Sequence, residues 1–130
     1  MQDVNLIAEK KQLRNTAEKR RELLFQSKGI AGSKTLAENF CNTWSPAYGS
    51  TISAFWPFRT ELDVRPLINQ LYDLGYTIAL PEIASKYEPL IFREWNPRQN
   101  LIKDNYGVMC LPKTAKIKTP DWLLVPLLAF

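Results

Sequence analysis

The chain has 130 residues, 45% of them hydrophobic and 23% charged, with a net charge of +4, the profile of one ordinary globular domain. It contains no histidine and only two cysteines, Cys41 and Cys110, so Ser-His and Cys-His nucleophile pairs and imidazole metal ligands are excluded. Two buried, reduced thiols fit a cytoplasmic protein; no apolar run reaches a membrane-spanning length, and Met1–Asn5 is too polar for a secretory signal.

In chain order, residues 4–27 carry Leu6, Leu13, Ala17 and Leu24 on one stripe, which predicts an amphipathic helix ended by Gly29. Lys10 and Arg14, four apart, project from one flank beside that stripe. A second helix is expected from Ser33 as N-cap, burying Leu36, Ala37, Phe40, Cys41 and Trp44 and stopped by Pro46. Thr51–Trp56 has strand character up to Pro57. Asp63–Leu74 reads as a helix, with Asp63 as cap, Pro66 in the first turn and Gly75 after its end. Tyr76–Leu80 predicts a strand closed by Pro81, and Leu90–Trp95 a strand whose mixed polarity suits an exposed or antiparallel position. Residues 96–119 look irregular. The run Trp122–Phe130 is so apolar that it predicts a strand buried on both faces of a parallel sheet.

This alternation predicts a single α/β domain over residues 1–130: a three-layer, mostly parallel open sheet with helices on both faces. The positive charge is local. Residues 1–34 hold eight Lys and Arg against four acids, and the remainder balances nine against nine. Such a segment suits a local anion site or a solvated helix face better than a nucleic-acid surface.

No generic catalytic motif, glycine-rich phosphate loop or metal-ligand cluster is present. A series of smaller signals is: Lys10-Lys11-Gln12-Leu13-Arg14, then Phe55 with Glu61-Leu62-Asp63, Ala79-Leu80-Pro81, Pro89-Leu90-Ile91-Phe92-Arg93-Glu94-Trp95, Tyr106-Gly107-Val108, and Pro120-Asp121 leading to Val125-Pro126 and Phe130. In this order they resemble the 5-formyltetrahydrofolate cyclo-ligase (5,10-methenyltetrahydrofolate synthetase) family. Val64 and Leu127 depart from its threonine and glycine, and Pro112 sits one place late without the usual preceding glutamate.

The resemblance implies a Rossmann-like fold of the cyclo-ligase type and the ATP- and Mg²⁺-dependent closure of 5-formyltetrahydrofolate to 5,10-methenyltetrahydrofolate. It assigns Lys10 and Arg14 to ATP and Phe55, Glu61 and Tyr106 to the folate; it assigns no catalytic residue and no metal ligand. In the family the terminal strand runs into an aspartate and a glycine-rich loop that supplies much of the phosphate grip. That loop has no counterpart in these 130 residues, so the resemblance implies a domain incomplete at its C-terminus, with weak ATP binding and little turnover.

The residues also have ordinary readings. Lys10 and Arg14 suit a solvated helix flank, Glu61 a loop acid near a helix start, Phe55 the core, and Tyr106 loop packing. Two other functions compete. A non-catalytic α/β fragment would associate through its C-terminal strand with a second copy or a partner. A nucleic-acid module would use Lys19, Arg20 and Arg21, although glutamates 9, 18 and 22 interrupt that face.

Overall fold

The computed structural model describes residues 4–128. Helix α1 runs unbroken over Val4–Thr43, followed by β1 (Thr51–Ser53), α2 (Arg65–Asp73), β2 (Thr77–Glu82), β3 (Ile91–Trp95), β4 (Ile102–Lys103), β5 (Met109–Cys110) and β6 (Trp122–Leu123). One sheet has the order β3-β2-β1-β6. Strand β1 is parallel to both β2 and β6, and β3 is antiparallel to β2, as its mixed polarity suggests. Strands β4 and β5 form a separate hairpin inside the stretch read as irregular. The fold is therefore α/β, with a mixed, mostly parallel sheet.

Two helices were expected where α1 is one. A glycine inside a helix costs only about 1 kcal/mol relative to alanine, less than a helix break would lose in hydrogen bonds and packing. Phe25 lies over Gly29, and Ser33 donates its hydroxyl to the Gly29 carbonyl at 2.9 Å instead of capping a new helix. Only the second half of α1 joins the core, through Ser33, Ala37 and Phe40. Helix α2 starts at Arg65 with no side-chain cap. Asp63 instead accepts the Arg65 amide at 3.0 Å and the Arg65 guanidinium at 2.8 Å. Its apolar face, Leu67, Ile68 and Leu71, packs into one cluster with Phe40, Ile52, Ile78, Leu80 and Trp95.

Strand β1 is shorter than expected: the chain leaves the ladder after Ala54, whose amide donates to the Ala79 carbonyl. Strand β2 instead continues through Pro81. Strand β1 pairs no further than Ala79, so the missing proline N–H deprives no neighbour on that side.

The largest correction concerns the terminal run. Strand β6 is two residues long and lies at the sheet edge, and the residues after it alternate in burial. Trp122 and Leu124 are half-buried, whereas Leu123, Val125 and Leu127 are 56, 68 and 68% exposed. Composition made this run apolar, but burial on both faces needs an element packed over each, and the described residues leave Leu123, Val125 and Leu127 largely uncovered. Ala129 and Phe130 lie outside the described residues.

Candidate functional site: an apolar groove at the sheet switch point

Strand β1 runs through α2 to β2 on one side and pairs with β6 on the other. The order of the sheet thus reverses between β1 and β6, and ligands of open α/β sheets bind outside the carboxyl ends of strands at such a point. The two strands are aligned by Asp121. Its backbone N–H donates to the Thr51 carbonyl at 2.8 Å, and its carboxylate accepts the Thr51 amide at 2.9 Å. Trp122 is held edge-on by Phe40 and Trp44 of the α1 end, at 6.2 and 5.9 Å between ring centroids.

Beyond these strand ends lies an open groove of about 960 Å³. Its walls are α1 from Leu13 to Phe40, the segment from Phe55 to Val64, and residues 123–128. The lining is mostly apolar. Its charged members are Arg20, Arg21 and Lys28, with no aspartate or glutamate among them. Leu62 lies against Gly32 of α1, where a Cβ would be 3.4 Å from the leucine methyl, an ordinary van der Waals contact.

Phe55 is in this groove, half-buried where the chain leaves β1 and packed against the core cluster. Glu61 sits beside it without lining it: Thr60 and Leu62 face the groove on either side. The Glu61 carboxylate accepts the Phe58 amide at 2.7 Å, and the Glu61 amide returns to the Phe58 carbonyl at 3.2 Å. It therefore braces its own turn. Lys10 and Arg14 are exposed on the first turns of α1, around the groove residue Leu13, and among the described residues neither has an ion pair.

Tyr106 lies outside the groove and is 57% exposed, in the five-residue loop between β4 and β5. Asp104 shapes that loop by accepting the amides of Tyr106 and Val108 at 2.8 and 3.0 Å. Gly107 has φ 79°, and a Cβ there would come 3.9 Å from the Phe58 ring. The Tyr106 loop thus abuts the turn that Glu61 braces.

Three residues escaped the sequence reading in the roles the structure gives them: Arg21, Thr60 and Arg93. Arg21 and Thr60 meet across the groove, with Arg21 Nε donating to Thr60 Oγ1 at 3.0 Å. A signal existed, since a cation four residues after Ala17 and three before Leu24 falls on the apolar stripe itself. Arg93 is the third. It is buried, donates Nε to Glu82, and donates Nη1 to the carbonyls of Lys113 and Ala115 at 3.1 and 2.9 Å. Nothing in its local sequence distinguishes it from a surface arginine. Both cysteine thiols are pushed up by burial, that of Cys110 further by the nearby Asp104 and Glu82.

Among the described residues no three His, Cys, Asp or Glu side chains converge as a metal site, and no helix is long and apolar enough to cross a membrane.

Fold and groove together define an α/β domain with a ligand-sized cleft at its topological switch point. Among solved structures, the fold is similar to that of Aquifex aeolicus 5,10-methenyltetrahydrofolate synthetase, with a TM-score of 0.71, 18% identity, and coverage of 89% of this chain and 59% of that one. At that identity the likeness is one of fold. No family model and no curated protein matches the sequence.

Proposed function

We propose that this chain belongs to a cyclo-ligase that closes 5-formyltetrahydrofolate to 5,10-methenyltetrahydrofolate with ATP and Mg²⁺ in the cytoplasm. The observation that carries the reading is the shared fold over 89% of the chain. The family-like residues occur in the same order along it.

In this reading the apolar groove takes the folate, and Phe55 packs against the flat pterin, whose ring suits an aromatic face. Glu61 keeps the adjoining turn in shape and offers its second carboxylate oxygen to the folate near the reacting nitrogens. Tyr106 closes over that turn from the β4–β5 loop, where Gly107 approaches Phe58. Lys10 and Arg14 neutralise phosphate charge from the exposed end of α1, one as a point charge and the other as a planar fork. ATP supplies the phosphoryl group that turns the formyl oxygen into a leaving group for attack by N10. The chain's part is positioning and charge neutralisation. Mg²⁺ in such a site would be bound in large part through the nucleotide phosphates, where it would neutralise their charge.

The test is formation of methenyltetrahydrofolate from 5-formyltetrahydrofolate and Mg-ATP, compared with a Lys10→Ala, Glu61→Ala double variant. Turnover by the 130-residue chain is expected to be low, because its phosphate contacts are confined to α1, and to vanish in the variant. Turnover unaffected by the double substitution would overturn the residue roles. Absence of folate and nucleotide binding would overturn the reading itself.

A second reading has one observation behind it, the exposure of the apolar residues Leu123, Val125 and Leu127, which also line the groove. In it the domain is non-catalytic and associates through β6, with a second copy or a partner, and its apparent mass rises with concentration.

A further inference from the structure

Arg21 stands apart from the other cations of α1. It is half-buried and lines the groove, and its Nε is tied to Thr60 Oγ1 at 3.0 Å. Among the described residues the ion pairs are Arg65–Asp63 and Arg93–Glu82, so Arg21 has no carboxylate partner. Glu18, one turn earlier, does not pair with it, and Glu61, beside Thr60, is engaged with Phe58. A guanidinium fixed in place at the wall of an apolar groove and lacking a counter-ion is positioned to receive an anion. Arg20 and Lys28 add positive potential along the same wall, and no acid opposes them.

The hydroxyl of Thr60 takes the one guanidinium N–H that lies on the side-chain stem. The two terminal nitrogens remain, and these form the fork that matches two oxygens of a carboxylate or phosphate. We propose that Arg21 is the anion-recognition residue of the groove: held by Thr60, it grips the carboxylate or phosphate end of an elongated ligand whose apolar body lies against Phe25, Phe55 and Leu124. Charge complementarity selects this occupant, because Arg20, Arg21 and Lys28 line one wall of the groove and no acid is in its lining. The identity of the ligand rests on the proposed function. There the anionic end is either the carboxylate tail of the folate or the phosphates of the nucleotide.

The site can be tested without assuming that function. Binding of an apolar anion, 8-anilinonaphthalene-1-sulfonate, is compared with that of its uncharged relative N-phenyl-1-naphthylamine, on the full chain. Arg21→Gln is expected to weaken the anion by about tenfold, the equivalent of one charge-assisted hydrogen-bonded contact, and to leave the neutral probe unchanged. Arg21→Lys should lose most of that affinity, because the fork is gone, and Thr60→Val should lose a smaller part. Lys19→Gln, an equal charge change on the same helix away from the groove, should have little effect.

Equal losses in Lys19→Gln and Arg21→Gln would overturn the proposal in favour of bulk charge, and full affinity in Arg21→Lys would overturn the fork. The same variants titrated with 5-formyltetrahydrofolate and with ATP separate the two sources, since only the ligand that Arg21 contacts should respond. Arg21-dependent binding of the probe with no binding of either natural ligand would sustain this site and sink the cyclo-ligase reading.

Discussion

The two edges of the sheet were built from different material, and the more polar one is the one that is closed. Strand β3 carries an arginine and a glutamate, yet its edge is closed. Residues 116–118 run antiparallel beside it, with Glu94 N donating to the Lys116 carbonyl at 2.7 Å and Lys118 N to the Phe92 carbonyl at 2.9 Å. Strand β6 is the more hydrophobic of the two, and its outer edge is open. Hydrophobicity alone does not close an edge. A strap does, and here a buried charge anchors the chain leading into it: Arg93 reaches out from β3 to the carbonyls of Lys113 and Ala115, just ahead of the strap, and is neutralised by Glu82 of β2.

This contrast can be broken most severely at Arg93. The side chains of Arg93 and Glu82 are only 10 and 13% exposed, so Arg93→Ala leaves a buried carboxylate and two carbonyls without their donor. It is expected to lower unfolding free energy by about 3–5 kcal/mol in urea titration. Arg93→Met combined with Glu82→Leu should recover most of that loss, since removing both charges removes the unpaired one.

A smaller loss is expected at the inner side of β6. Asp121→Ala deprives the Thr51 amide of its acceptor and should cost about 1 kcal/mol by the same titration. Asp63 gives a weaker, pH-dependent effect. The Arg65 hydrogen bond lowers its pKa below the ordinary 3.8, so its contribution is present above that value and disappears as pH falls through the lowered one. The pair is exposed and should be worth less than about 1 kcal/mol; Asp63→Asn should remove that acid-side slope from the stability profile.

Least of all is expected at the open edge. Leu127→Asn should change stability by no more than about 0.5 kcal/mol in dilute protein, because a residue 68% exposed has little burial to lose. A larger loss, growing with protein concentration, would show that the edge is covered in solution.

Of the residues singled out in the sequence, only Phe55 lines the groove; Lys10, Arg14, Glu61 and Tyr106 lie outside its lining. Phe55 could be put at the end of a strand from the proline that follows, but only the resemblance assigned it to a ligand. Lys10 and Arg14 could be read as one flank of a helix from their spacing alone. Glu61 and Tyr106 could be singled out only by resemblance, and each turned out to have local business: bracing a turn in one case, standing on an aspartate-shaped loop in the other. The pairing of Arg21 with Thr60 spans 39 positions, and no local pattern connects them.

By itself, then, the sequence determined what depends on neighbours along the chain. The helical stripe, the start of α2 near Asp63 and Pro66, the strand character of three segments and the antiparallel leaning of β3 all follow from spacing and backbone preference. Tertiary structure decided what depends on neighbours in space. It carried α1 through Gly29 because packing beyond that point outweighs one unfavourable residue. It buried Arg93 because Glu82 and two distant carbonyls were there to receive it. It left Leu123, Val125 and Leu127 exposed because the burial of an apolar side chain is a property of what is packed against it.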